Sequence, residues 1–373
     1  MQLRRVAALL AVAILIASVP FTASAAQATT VVPATLVTTG VTFADLTCVT
    51  FPSASVGYAA ASDGTIVRTT NGGATWADVK TGGGQAFVGI AFWDAASGIA
   101  VTSDRQVWGT ATGTSWSQIN PDITANAGGT PQIKVNDVDS VPGTTDRAAL
   151  AAGDPITFDE NWYGEQLWLT WGSGAVYWGS QPVYESKSYL WDPEYGDTAW
   201  VGEGEFFDVD FVDGSNGWAV GADYYSVTTT STIVRTTNGG QNWSKQCLGS
   251  GATLQAVSFA STLVGVTTSA DGRAFYTTDG GASWTAGASG VTVSLNGVVM
   301  LDALNGYAVG NGGTVIKTTN GGVTWGPEVS GTTQDLLAVT AVNSTTAVAV
   351  GRAGTVVLLG ATTDTTGPTM TSL

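Results

Sequence analysis

Eleven of the 29 acidic residues of this 373-residue sequence fall between residues 158 and 211, together with six of its 14 tryptophans. Trp162, Tyr163, Trp191, Tyr195 and Trp200 alternate there with Asp159, Glu160, Asp192, Glu194, Glu203 and Glu205, and Tyr224 and Tyr225 follow soon after. Two chemistries suit such a mixture. Flat rings stack on sugar faces or on a partner's side chains, and they are enriched at interface hot spots. Paired carboxylates cleave glycosides when one acts as acid and the other as nucleophile or base, about 5 to 9 Å apart. The sequence supplies the acids but not their separation, and the bland alternative is a cap of self-packed loops with solvated acids. The absence of histidine excludes any His-based triad and any His metal site. Asp208-Val209-Asp210-Phe211-Val212-Asp213-Gly214 resembles a fragment of a calcium loop but lacks the distal bidentate Glu. Alternating Asp on a strand beside a turn reads as exposed polar positions, so no metal site and no cofactor is assigned.

The elements that must carry these residues are set by a repeat. Thr318-Thr319-Asn320-Gly321-Gly322-Val323-Thr324-Trp325 recurs nearly unchanged at 69–76, 236–243 and 277–284. In each copy an Asn or Asp can bond the backbone two residues on, Gly supplies the positive φ of a tight turn, and Trp begins the next strand as a wedge between sheets. Each Trp lies eleven residues before the start of a strand: Trp76 before Phe87, Trp243 before Leu254, Trp284 before Leu295, Trp325 before Leu336. Seven such opening strands are readable: 46–51, 87–92, 135–140, 207–211, 254–259, 295–300 and 336–341. Each precedes a small-residue strand, at 58–61, 99–102, 148–152, 218–220, 263–266, 307–309 and 347–350. A period of about forty residues with strands between turns indicates a propeller or solenoid. High Gly (49) and low charge (11%) agree with a turn-rich all-β chain. The turns around Trp116 and Trp178 lack the Asn or Asp. The last repeat ends one strand short, and 33–40 supplies a spare strand that closes the ring and removes exposed edges.

The pattern Ser/Thr-x-Asp/Asn-x-Gly-x-Ser/Thr-Trp resembles the Asp-box, or bacterial neuraminidase repeat, which caps the turn between the third and fourth strands of propeller blades. Asn71, Trp76, Asn238, Trp243, Asp279, Trp284, Asn320 and Trp325 match its structural positions. The phrase Gly306 to Lys317 before the last copy resembles the photosystem II assembly and stability factor-like branch of that group. The resemblance implies a propeller over most of the chain and says less of function, since sialidases, xyloglucanases and sorting receptors share the box. The arginine cluster of the sialidase type has no counterpart: Arg68 and Arg235 share one repeat position with Lys317, and Arg105, Arg147, Arg273 and Arg352 are scattered. The assembly-factor branch works partly through a basic surface patch. This chain has a net charge of −16, so no binding residue is carried over from that branch.

Residues 1–25 read as a signal peptide, with Arg4 and Arg5, an apolar run too short to span a bilayer, and Ala23-Ser24-Ala25 as cleavage site. No later segment is a transmembrane anchor. The acidic balance repels nucleic acid and anionic lipid. Cys48 and Cys247 fall on opposite sides of a ring, beyond the roughly 7 Å that a disulfide allows between Cα atoms, and are expected to be free thiols. The tail 362–373 is either a polar end or the start of a stalk or immunoglobulin-like module. Alternation of turns puts the boxes on one face and the long insertions on the other: 121–132, 154–166, 181–205 and 222–232.

The reading is an all-β, seven-bladed β-propeller of four-stranded antiparallel blades over residues 30–361, closed by an N-terminal strand. Its function is expected to be non-catalytic recognition by a monomer, secreted or held in a prokaryotic cell envelope, with a protein or glycan partner and no nucleic acid. The ligand-binding residues are Trp162, Tyr163, Trp191, Tyr195, Trp200, Tyr224, Tyr225, Asp159, Glu160, Asp192 and Glu194. The alternatives are a secreted glycosidase using carboxylates of the same loops, and an assembly factor for a membrane or photosynthetic complex.

Overall fold

The computed structural model describes residues 35–37, 44–120, 134–144, 147–153, 166–173, 176–185, 189–191, 198–200, 204–223, 230–246, 248 and 251–360. The first repeat unit is an antiparallel run of Leu46–Thr50, Gly57–Ala61, Ile66–Thr69 and Ala77–Lys80, and four-stranded units of the same order follow along the chain. The inner strands are Leu46–Thr50, Phe87–Phe92, Lys134–Ser140, Gly204–Phe211, Leu254–Phe259, Leu295–Met300 and Leu336–Ala341, close to the expected positions. The propeller class and the four-stranded antiparallel blade are therefore as the repeat indicates.

The blade count departs from the expected seven separate sheets. The ring is built of six sheets, because the third and fourth units form one eight-stranded sheet. Their second and first strands are joined through the pair Gly153 and Glu205. A small hairpin, Tyr189–Trp191 with Thr198–Trp200, stands apart from them. The link read as 181–205 is shorter than expected, since strands run to Glu185 and resume at Gly204, and the loop read as 222–232 shortens to 224–229. The strand read as 263–266 is Gly265–Ser269, because Ala260 donates its N–H to Val264 O and holds that stretch in the turn.

Second strands are buried on both faces. Gly57–Ala61, Gly98–Thr102, Gly265–Ser269, Gly306–Gly310 and Ala347–Gly351 have no exposed residue, which explains their Ala, Gly and Val content: neighbouring sheets press on them from both sides. The leading glycine is required by a close approach. A Cβ on Gly57 would lie 2.5 Å from the Phe51 ring, and one on Gly98 2.5 Å from Phe92. The next residue is often aromatic. Tyr58 stacks on Phe92 of the following unit at 3.9 Å between centroids, and Trp218 stacks on Phe259 at 3.5 Å. The cation opposite it in the third strand lies against its ring: Arg68 by Tyr58, Arg235 by Trp218 and Lys317 by Tyr307, at 5.7, 5.2 and 5.3 Å. These three cations are directly paired in register with the rings they cover. Such contacts contribute about 0.5–2 kcal/mol each.

The repeated turn is a hydrogen-bond nest at the end of the third strand. The buried Thr318 hydroxyl accepts the N–H groups of Gly322 (2.9 Å) and Asn320 (3.3 Å), and Asn320 Oδ1 accepts the N–H of Thr324 (2.9 Å). The same bonds form at 69–75, 236–242 and 277–283. Its second glycine has φ of 82 to 91° at Gly73, Gly240, Gly281 and Gly322, where a side chain would be strained. Trp76, Trp243, Trp284 and Trp325 follow the nest, and rings of the first three stand edge-on to Phe51, Phe211 and Phe259. The turn before Trp116 is one residue shorter. There Thr110 and Thr112 hydroxyls take over, accepting Gly113 N–H at 2.8 Å and Ser115 N–H at 3.2 Å. Trp178 is no turn residue: it lies within Val176–Glu185, whose partner strand ends at Ser173 in a tight hairpin.

Closure follows the expected route. Thr35–Val37 pairs antiparallel with Val356–Leu359 as the fourth strand of the last sheet. Arg352 adds exposed ion pairs to Asp45 and Asp335, of small energetic weight. Among the described residues no helix is long and apolar enough to cross a membrane. Cys48 is a buried free thiol in an inner strand; Cys247 lies outside the described residues.

Two predictions follow from this packing. Thr318→Ala strands the buried Gly322 N–H and is expected to cost about 1–3 kcal/mol, lowering the thermal midpoint, whereas Thr318→Ser retains most of it. Equal midpoints for the two variants would dismiss the nest as a stabilising element. Burial pushes the Cys48 thiol up to about 12. Peptide-resolved alkylation at pH 8 should therefore leave Cys48 unmodified until denaturant is added, and rapid native labelling would contradict the packing.

Candidate functional site

Seven inner strands converge on an axial cavity of about 170 Å³. Thr47, Val88, Asn136, Phe207, Gln255, Asn296 and Leu337, one from each strand, line it. The next position along each strand turns toward the following unit. Where this residue is Gly, backbones nearly touch: a Cβ on Gly89 would lie 2.6 Å from Val138 N. In the third and fourth units it is Asp137 and Asp208, with Asp139 and Asp210 two residues on.

These four carboxyls bridge between units. Asp137 Oδ2 accepts Val209 N–H at 3.4 Å, and Asp139 Oδ2 accepts Phe211 N–H at 2.8 Å. Asp208 and Asp210 repeat the arrangement one unit on, accepting Val257 and Phe259 N–H at 2.7 Å each. Ser258 accepts Met300 N–H in the unit after that. Bonds of the opposite sense run beside them. Thr47 Oγ1 donates to Phe87 O (2.7 Å), Asn136 Nδ2 to Phe206 O (2.7 Å) and Asn296 Nδ2 to Leu336 O (2.9 Å).

The carboxyls are packed among protein atoms, although all four residues keep some surface, and Asp137 and Asp208 line the cavity. Burial is the first cause that raises all four above the ordinary carboxylate range. Asp137 is raised further by the neighbouring Asp208, so the two carboxyls titrate as a pair. Asp139 reaches about 7, since the amides of Phe211 and Ser140 offset part of the burial. Asp210 is raised well above normal by burial and by Asp139. The expectation that Asp208 and Asp210 are exposed polar positions is thus corrected. An inner strand has a neighbour on each face, so alternation along it does not mark a wet side.

Asp137 and Asp208 act directly on each other and accept the amides of Val209 and Val257. A glycosidase pair stands about 5 to 9 Å apart with sugar or water between. Their geometry suits holding units together. Among the described residues no group of acidic or thiol side chains is arranged to hold a metal ion.

Of the ligand-binding residues proposed from sequence, two are described. Trp191 and Trp200 sit in the two strands of the small hairpin, where their backbones face Thr198 and Tyr189. Asp159, Glu160, Trp162, Tyr163, Asp192, Glu194, Tyr195, Tyr224 and Tyr225 lie outside the described residues. Of the acidic group, Glu205 is placed: it is buried and accepts from Asn136 Nδ2 at 3.1 Å. Sequence reasoning missed the axial position of the quartet. The available signal was that both Asp-x-Asp pairs occupy the same positions of consecutive inner strands.

Comparison with known proteins supplies the context. The family model described as photosynthesis system II assembly factor YCF48 matches residues 197–364, a little under half of the chain. No curated protein matches the sequence. A solved structure described as YCF48 bound to D1 peptide is 15% identical, covering 88% of this chain and 95% of that one, with a TM-score of 0.62. YCF48 from Cyanidioschyzon merolae is also 15% identical, covering 88% and 98%, with a TM-score of 0.64. The WD40 propeller domain of Doa1 is 11% identical at a TM-score of 0.58. Identities this low show the propeller fold alone. The secreted or envelope location expected from residues 1–25 is overturned by these findings, because the matching family is described by a role in photosystem assembly. The chain is a β-propeller, similar in sequence over residues 197–364 to the family described as photosynthesis system II assembly factor YCF48 and similar in fold to solved YCF48 structures over most of its length.

Proposed function

We propose that this chain is a non-catalytic assembly factor that binds a polypeptide segment of a photosynthetic membrane complex. The observation that carries the reading is the joint match of residues 197–364 to the YCF48 family model and of the fold to a YCF48 structure bound to a D1 peptide. The carboxyl pair in the ring supports the non-catalytic half, since Asp137 and Asp208 are spent on each other and on neighbouring backbone. Glycan binding has no comparable support.

The contact is proposed on the insertions of the third and fourth units. They bring Trp162, Tyr163, Trp191, Tyr195, Trp200, Tyr224 and Tyr225 within one stretch of sequence together with Asp159, Glu160, Asp192 and Glu194. Long loops on a rigid scaffold are where recognition concentrates. With a net charge of −16, the chain favours a segment carrying Lys or Arg, and charge steering of this kind weakens with salt.

The test is fluorescence anisotropy with overlapping peptides that cover D1, at low and high salt. A subset should bind, more weakly as salt rises, and a variant with residues 187–202 replaced by a short Gly-Ser linker should lose about tenfold or more in affinity. Absence of binding above scrambled peptides would remove the assembly-factor reading. Equal affinity in the shortened variant would move the contact off these loops.

A further inference from the structure

The quartet Asp137, Asp139, Asp208 and Asp210 sits at two consecutive unit boundaries and no others. The boundary before it is held by backbone contact at Gly89, and the later ones use Ser258 and Asn296. Carboxyls are an odd choice for that duty. A neutral hydroxyl at the equivalent place, Ser258, accepts the same kind of amide with no charge to bury. A carboxyl differs from it by being able to lose a proton.

Among the described residues no cation figures among the causes that shift these four carboxyls. The axial cavity is lined by no Lys or Arg. The flanking strands Phe87–Phe92 and Leu254–Phe259 carry no ionisable side chain. The remaining titratable neighbours are Glu205, linked through Asn136, and the Cys48 thiol, on which Asp137 acts. Lys134 is exposed at the start of the third inner strand. Arg147 lies at the end of its strand, one residue before the Ala148 that pairs with Ser140, and Asp223 pairs with Gly204 at the opposite end of the fourth unit. Protons, together with the bridged amides, are therefore what keep four acids compatible at two adjoining boundaries.

We propose that the quartet is a proton-dependent clasp, which holds the third, fourth and fifth units together while protonated and lets their inner strands part as protons leave. The direction follows from linkage. The closed ring raises these carboxyls and so binds protons that a parted boundary, with carboxyls returned to water near 3.8, does not. Opening releases protons and becomes more favourable as pH rises, about tenfold per pH unit for each proton released. The stabilisation is complete below about 3.8 and is lost as pH climbs through the folded value, which for Asp139 is about 7. The long insertions leave the chain from these same units, so parting their inner strands alters the base on which the insertions stand. The proposal rests on the ring geometry and not on the identity of any partner.

Native-state hydrogen exchange of the full chain between pH 5 and 8, corrected for the intrinsic rate, tests this. Protection at Val209, Phe211, Val257 and Phe259 should fall at least tenfold from pH 5 to pH 7, while strands Leu295–Met300 and Leu336–Ala341 hold theirs. Asp139→Asn, which keeps an acceptor for Phe211, should shallow the slope, and Asp137→Asn with Asp208→Asn should shallow it further. A flat profile at the four amides, or an equal fall in the two control strands, overturns the clasp. So does a folded Asp139→Asn protein with an unchanged slope. The wild-type profile decides by itself if the variants do not fold.

Discussion

Inner strands of a propeller run side by side around an axis but do not pair with one another through a backbone ladder. Their facing N–H and C=O groups still have to be satisfied, because orphaned buried backbone groups are costly. This chain meets the demand with side chains from the preceding unit: Asp137, Asp139, Asp208, Asp210 and Ser258 accept, while Thr47, Asn136 and Asn296 donate. Short side chains reach across because the units approach closely, and at Gly89 and Gly297 the backbones themselves come close. The axial cavity, the enclosure of the carboxyls and the fused sheet of the third and fourth units all follow from this way of joining units at the centre.

Further out, a second system does the joining. Aromatic residues near the start of the second strands stack on the next unit's inner strand, with a cation from the third strand close to the ring. Trp218 adds a direct bond from its Nε1 to Gly280 O in the following unit. The turn nests fix where each outer Trp enters the packing. Polar bonds near the axis and aromatic packing toward the turns thus divide the work of holding each unit to its neighbour.

The repeat made much of the fold legible. The Trp-to-strand spacing located the inner strands, and the missing last strand pointed to its N-terminal replacement. Arg68, Arg235 and Lys317 read as one structural position, and each indeed covers an aromatic ring of its own unit. Legibility failed where the repeat was altered. Trp178 reads as the remnant of a box turn, although it lies in a strand that pairs back on its predecessor from Ser173 and Val176. The shortened turn before Trp116 hid two Thr hydroxyls acting in place of Asn. Asp208 and Asp210 were misread because period-two alternation identifies a wet face only when one side of the strand meets water. The partner class was not legible, since acidic aromatic loops suit sugars and peptides alike.

The closing strand has a consequence for how this ring comes into being. Units one to six are each made from strands that follow one another in the chain, so each can zip up from its own stretch of polypeptide. The last sheet joins Thr35–Val37 to Val356–Leu359, a span of more than three hundred residues. Loop-closure entropy grows only slowly with such length, but contacts this remote in sequence are made late and slowly. The nascent chain therefore carries an unclosed arc with two bare edges until its final strand is made, and that interval, rather than the finished ring, is when the molecule is most open to pairing with another copy of itself.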